Sequence, residues 1–373
     1  MQIIISLSLV LYSLATFNPI MMPVALLLLG LCSVSKLNKV SLVRLLFFVI
    51  ALAFPIIFNS FYSIEHIYIN SVAKYIMFLF YIFLLVQWSK SEDKGKIETA
   101  FKHLLFIHLV FFYIQFVAYF ATGEFIEFSK YVRAKDAVVL YESKALMNSF
   151  ISARFTGLFT EPSYYSMIVL PISSIFLILN KHKLISVFGI ISVGLSLSIA
   201  AIIIMALMIG IYIFLSKGNK FLKILCISAA IFLAPVFYGF YDARINADAD
   251  YDAIASRSFV FTELQIRNTY LNMVGEGVFI DESKPLGIVG LTGAEIRDSS
   301  FYIYLLYSVG LFGFLTFFAL MFYLFGFKSM VYLMPLLLFK YHLLTTMFFM
   351  TLFLFYFYKE EVSHFSEVRE CEI

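Results

Sequence analysis

Charge is what this sequence has least of. Asp, Glu, Lys and Arg together make up 14% of its 373 residues against 62% hydrophobic, a balance outside the range in which a water-soluble domain covers its own surface. That excludes a soluble globular enzyme and names lipid as the solvent. The net charge is only +3 and no basic stripe is interleaved with aromatics, which excludes a nucleic-acid partner. Cysteine is nearly absent: Cys32 and Cys226 lie in apolar runs and Cys371 in the polar tail, so no disulfide framework closes an exported loop. Met1 to Phe17 lacks a basic start and an A-x-A cleavage site, so it reads as an uncleaved first helix, not a secretory signal. No internal repeat, low-complexity tract or soluble domain is visible.

What is there is a series of apolar runs, continuous rather than alternating. Every backbone amide in a bilayer core must be satisfied internally, so such runs are helices and not barrel strands. They fall at 3–17, 20–34, 42–60, 71–88, 101–121, 163–180, 184–198, 199–216, 221–240, 300–323, 329–340 and 343–358, which predicts about twelve spans. The stretch from Leu184 to Leu215 is long for one crossing of ~20 residues, and we divide it at Ser196 to Ser198. The expected fold is all-α: a polytopic transmembrane helix bundle of about 12 spans, with residues 1–373 forming a single integral membrane domain. Two long loops, 122–162 and 241–299, are expected to face out and to carry short amphipathic helices.

Orientation follows the lysines. Lys36, Lys39, Lys90, Lys94, Lys96, Lys102, Lys181, Lys183, Lys217, Lys220 and Lys223 gather with Arg44 in alternate short loops, which the positive-inside rule assigns to the cytoplasm. This predicts a multi-pass protein of a bacterial plasma (inner) membrane with both termini cytoplasmic. The arginines run the other way. Six of eight, Arg133, Arg154, Arg244, Arg257, Arg267 and Arg297, fall on the side expected to be external. Guanidinium is a flat fork that grips phosphate oxygens in pairs, whereas ammonium is a point charge, so external arginines suit a phosphate-bearing ligand. The plainer alternative is that they pair with loop acids such as Glu124, Glu127, Asp136, Glu142, Asp242, Asp252 and Glu263.

One segment carries a signature. Arg154-Phe155-Thr156-Gly157-Leu158-Phe159-Thr160-Glu161-Pro162-Ser163 closes the first long loop and opens a span. Pro162 suits a first helical position, an acid beside it meets the positive end of the helix dipole, and Gly157 frees the backbone to turn. Arg154 and Glu161 thereby come to the mouth of the bundle, where ionisable groups are costly enough to be functional candidates; a structural ion pair is the alternative. The pattern R-x-x-G-x-x-x-E-P-S at a helix start resembles that of the O-antigen and capsular polysaccharide polymerases (Wzy-type), relatives of the O-antigen ligases. In the second half, Ser256-Arg257-Ser258, Gly275-Glu276-Gly277, Asp298-Ser299-Ser300 and the Gly310 and Gly313 of the next span are similar to that family's large external loop. Asp298 stands where a ligase would have His, which favours polymerase.

The resemblance implies a metal-independent glycosyltransferase without cofactor. It would pass a growing glycan from undecaprenyl diphosphate to a lipid-linked repeat unit on the outer face, with membrane lipid as a partner and a chain-length regulator and flippase as candidate partners. A diphosphate leaving group needs cations rather than a general acid, a role for Arg154, Arg257 and Arg267. The attacking hydroxyl needs a base, for which Glu161 and Asp298 are candidates; Asp298 is equally placed to cap the following helix. Gly157, Pro162 and Ser163 are structural members of the motif. Asp248-Ala249-Asp250 forms a D-x-D, but in a solvated acidic loop we expect no metal there. The histidines, His66, His103, His108, His182, His342 and His364, show no ligand spacing and read as interfacial or packing residues, and Tyr164, Tyr251 and Tyr270 are candidates to stack on sugar rings. Rival readings are an O-antigen ligase and a flippase; the latter would place charges near the bilayer midplane, whereas Lys340 and His342 fall in a turn between spans.

Overall fold

The computed structural model describes residues 1–33, 42–62, 68–134, 153–215, 239, 253–281 and 284–365. Its described residues are helical, with no strand beyond an isolated bridge between Leu286 and Leu291. In chain order the helices are α1 (Gln2–Leu14), α2 (Met21–Ser33), α3 (Leu42–Tyr62), α4 (Ile69–Ser91), α5 (Lys94–Thr122), α6 (Pro162–Ile178), α7 (Lys183–Leu195) and α8 (Ile199–Leu215). After them come α9 (Ala253–Ile266), α10 (Thr269–Val274), α11 (Gly293–Asp298), α12 (Phe301–Leu336) and α13 (Thr346–Phe365).

Three helices, α4, α5 and α12, are long and apolar enough to cross a membrane. Further apolar helices, α1, α2, most of α3, α6, α7 and α8, are of 10–17 residues by the same measure. The expected run 221–240 and the D-x-D at Asp248 and Asp250 lie outside the described residues. The expected break at Ser196 to Ser198 is present: α7 ends, Leu197 adopts φ 54°, and α8 begins. The expected separation of the runs 300–323 and 329–340 is present as a break in α12 at Gly326, and a second break falls at Gly310, inside the expected span 300–323. Glycine takes these positive φ values without the Cβ penalty.

The chain packs into two compact units. The first comprises Met1–Ile107, Ala253–Gly326 and Leu337–Tyr356. Here α2 lies against both α1 and α4. Tyr12 stacks on Tyr81 at 3.9 Å, and the Ser8 hydroxyl reaches the Ala25 carbonyl at 2.8 Å and the Tyr81 hydroxyl at 2.9 Å. These polar atoms sit inside apolar helices because each finds a partner there.

The second unit comprises His108–Asp252, Phe327–Leu336 and Phe357–Ile373. Its centre is α6 against α7 and α8. Small residues line the contact: Tyr165 donates to Ser192 at 2.7 Å, Ser166 meets Ser196 at 3.4 Å, and Gly189 sits against Ser173 with no space for a Cβ. Where surrounding lipid is as apolar as leucine, close approach and hydrogen bonds supply the association that water exclusion supplies elsewhere. In both units large apolar side chains remain exposed, Ile3, Leu27 and Ile69 in the first and Val117 and Leu184 in the second, a cost in water that hydrocarbon removes.

Candidate functional site

The signature segment is held by the second unit. Pro162 opens α6 as expected, with Glu161 extended behind it at φ −139° and ψ 148°. Ahead of it the chain runs buried from Ala153 to Thr160 except for Arg154, which is half-buried. Phe155 is fully enclosed by Phe116, Tyr119, Phe112, Phe120 and Phe125. The side chain that orders this stretch is Gln115 of α5. Its carbonyl accepts the N–H groups of Thr156 at 2.9 Å and Gly157 at 3.0 Å, and its amide donates to the Ile126 carbonyl at 2.7 Å. Gly157 has φ +59°, and a Cβ there would approach the Phe112 amide nitrogen at 3.3 Å. Gln115 thus presents Arg154 and Glu161 on a fixed backbone; Ser163 donates to the Glu161 carboxylate at 3.1 Å.

The first unit contains Arg267, Glu276, Asp298 and the backbone of Arg257, whose side chain lies outside the described residues. Arg267 is almost fully buried, and its donors are committed. Nε gives to Asn272 Oδ1 at 2.7 Å, NH1 to the Tyr307 carbonyl at 3.1 Å and NH2 to the Leu306 carbonyl at 3.1 Å. Those carbonyls are exposed by the break in α12 at Gly310, which leaves them without helical partners. The neighbouring loop completes the closure: Glu276 N–H reaches the Tyr307 carbonyl at 3.1 Å and Gly277 N–H the Ser308 carbonyl at 2.8 Å. Gly275 lies against Ser308 and Gly310 against Met273 so closely that neither has space for a side chain. Asn59 of α3 fixes the far end by accepting Phe279 N–H at 2.8 Å. This is a clamp on a broken helix, and Arg267 serves it in a cap role rather than as the open diphosphate fork expected of it.

Within the clamp Glu276 is buried, accepts the Tyr307 hydroxyl at 2.6 Å and stands 3.8 Å from Arg267. Burial raises its carboxyl above the usual range despite the opposing pull of Tyr307 and Arg267. Desolvation wins because the guanidinium is distant and already spent on carbonyls. Glu263, a candidate partner for loop arginines, likewise turns to backbone. Fully buried, it accepts Ile288 N–H at 3.0 and 2.9 Å and Val289 N–H at 2.8 Å.

Asp298 departs from its expected cap role. It is the last residue of α11, and the first turn of α12 is instead closed by the Ser300 carbonyl accepting Tyr304 N–H. Its carboxylate accepts the Lys340 ammonium at 2.9 Å, a largely buried pair. Lys340 and His342 lie in the turn between α12 and α13. Beside them is a cavity of about 10 Å³ lined by Arg297, Tyr304, Ser308 and His342 with Val278 and Ile280, room for a single oxygen-sized group. His342 is buried, its Nδ1 has no hydrogen-bond partner, and neither does the Ser308 hydroxyl. Burial, then Arg297, Lys340 and Lys74, hold the imidazole well below its usual titration range.

Arg297 lines this cavity and Lys340 pairs with Asp298 in the first unit, while Arg154, Gly157, Glu161, Pro162 and Ser163 are arranged by the second. Sequence reasoning named Arg297 among the external arginines without assigning it, took His342 for packing, and passed over Gln115. An amide in the middle of an apolar run was the available signal for the last. Among the described residues no three His, Cys, Asp or Glu side chains are grouped to hold a metal ion. Comparison of the chain with protein-family models, curated proteins and solved structures finds no match in any of the three.

Proposed function

We propose that this chain is a membrane glycosyltransferase that polymerises a lipid-linked glycan at the outer face of a bacterial plasma membrane. It takes the growing chain from undecaprenyl diphosphate and passes it to the next lipid-linked repeat unit. The observation that carries the reading is the R-x-x-G-x-x-x-E-P-S segment, whose backbone Gln115 fixes ahead of α6 so that an otherwise apolar chain presents Arg154 and Glu161 there. Charges are expensive beside a bilayer, and a guanidinium held at its edge suits a diphosphate leaving group. Arg154 is the expected donor grip and Glu161 the candidate base.

The test is polymerisation of a synthetic undecaprenyl-diphosphate repeat unit by purified protein, with and without chelator. The expected result is a ladder of products that chelator leaves intact and that Arg154→Ala abolishes. In cells, deletion leaves single repeat units on the surface under this reading. No surface glycan at all would point to the ligase, and repeat units trapped facing the cytoplasm to the flippase. Labelling of a cysteine at position 154 from the cytosolic side would defeat the proposal.

A further inference from the structure

We propose that the turn 285–291, together with the adjoining edge of α9, sits among the acyl chains at the surface of the bilayer, so that this part of the second long loop lies in lipid and not in water. The placement holds whichever reaction the chain performs.

A solvated loop buries its apolar side chains and turns its charges out. This one is inverted. Glu263 and Arg267 are the only Asp, Glu, Lys, Arg or His between residues 258 and 274, and both are buried. Phe259 and Ile266, one helical turn before and after Glu263 on one side of α9, are instead exposed. The turn 285–291 reads Pro-Leu-Gly-Ile-Val-Gly-Leu, with no charged or hydroxyl side chain, and Ile288 at its tip is 67% exposed with Val289 exposed beside it. The Glu263 carboxylate accepts the N–H groups of both tip residues at 2.8–3.0 Å. The tip therefore lies against α9 at the height of Glu263, and its two side chains share one stretch of apolar surface with Phe259 and Ile266.

Two observations select lipid as the cover of this surface. The first is the backbone. A loop enters hydrocarbon only where protein groups satisfy its amides, and four amides of this turn are satisfied so. Leu286 and Leu291 exchange N–H and carbonyl at 2.8 and 2.7 Å, and Glu263 takes the N–H groups of Ile288 and Val289. On an ordinary surface turn water would serve those two amides; here a buried carboxylate replaces it. Gly287 permits the approach, since at φ +68° a Cβ there would run into the Glu263 carboxylate. The second observation is level. Between α9 and the turn the chain is tied to the ends of two apolar helices. Asn59, in the last turn of α3, holds Phe279, and Tyr307 and Ser308, in the second turn of α12, hold Glu276 and Gly277. As α12 is long and apolar enough to cross, its start lies at the membrane edge, and the tied segment lies there with it. With 14 residues, α9 is short of the ~20 that a crossing needs, so it runs along the surface with its apolar edge about 5–10 Å into the acyl boundary. Lys284, exposed and 3.6 Å from Asp281, stands at the polar foot of the turn, where headgroups begin.

The test places the full-length protein in phosphatidylcholine vesicles that contain no lipid-linked glycan. Ile288→Trp and Phe259→Trp are each read against wild type, whose single indole, Trp88, gives the background. Both positions are exposed, so both variants are expected to keep the wild-type unfolding midpoint; Val289→Trp and Ile266→Trp repeat the reading at the neighbouring positions. Each introduced indole is expected to emit blue-shifted light, and to lose about half of it or more when the vesicle lipid is brominated on the acyl chain near the headgroup. Aqueous iodide is expected to leave that emission nearly unchanged. Water-like emission that iodide quenches, at Ile288→Trp or at Phe259→Trp, overturns the proposal. So does blue-shifted emission that brominated lipid leaves intact, which would put protein over the surface, as in a pairing with a second copy of this chain.

Discussion

Replacing Arg267 by Ala separates the two roles available to that residue. As a clamp on the broken α12, Arg267 makes three hydrogen bonds of 2.7–3.1 Å and faces Glu276 at 3.8 Å, all out of water. The substitution leaves the Leu306 carbonyl without this partner and Glu276 without its cation. Breaking a buried charge pair by removing one partner costs about 3–5 kcal/mol, and a buried carbonyl that loses its donor adds ~1–3 kcal/mol. The Tyr307 carbonyl retains the Glu276 N–H, so we count one lost carbonyl, not two, and expect about 4–8 kcal/mol in total. That is a large part of the ~5–15 kcal/mol that stabilises a typical domain. Fluorescence-detected thermal unfolding in detergent should show a fall of many degrees, and Arg267→Ala and Glu276→Gln should be strongly non-additive because they disturb one network. An Arg267→Ala protein that unfolds with the wild type while losing polymerisation would refute the clamp and return Arg267 to the diphosphate.

Further outcomes follow from other sites. Glu276 has a raised folded-state carboxyl, so its contribution to stability is fullest below the ordinary value of 4.5 and is lost as pH rises through the folded value; Glu276→Gln should flatten unfolding midpoints measured across that rise. Gln115→Leu leaves the Thr156 and Gly157 N–H groups without this acceptor at a cost of about 2–6 kcal/mol, and hydrogen exchange at those two amides should accelerate while α7 and α8 keep their protection. Gly157→Ala meets both a positive φ and the Phe112 backbone and should cost about 1–2 kcal/mol, read as a lower unfolding midpoint. Lys340→Met strands Asp298 and should lower polymerisation more than it lowers the unfolding midpoint, with Lys340→Met/Asp298→Asn recovering stability but not activity.

Much of the helix inventory was legible because hydrocarbon-length apolar runs leave the backbone no other choice. Pro162 announced the start of α6, and the serines at 196 and 198 marked the break between α7 and α8. The break of α12 at Gly310 was not legible. It falls inside the run 300–323, and residues 267–277 satisfy the carbonyls it frees. Local sequence carries no signal for a partner 40 residues upstream. The same limit explains the site. Arg154 and Glu161 were found because their motif is contiguous, whereas Arg297, Ser308 and His342 belong to separated segments and meet only around the cavity of the packed unit. Arg267 was given a ligand role on charge and side, which cannot distinguish a guanidinium facing a phosphate from one facing two carbonyls.

The clamp at Gly310 also implies an order of assembly. Residues 267–277, which satisfy the carbonyls of Leu306, Tyr307 and Ser308, are synthesised before them. When that stretch of α12 leaves the ribosome its partners have already emerged, so the kink need never wait with bare carbonyls. A circular permutant that moved 267–277 behind α12 would keep every contact and lose that timing, and it should insert poorly although its finished form is the same.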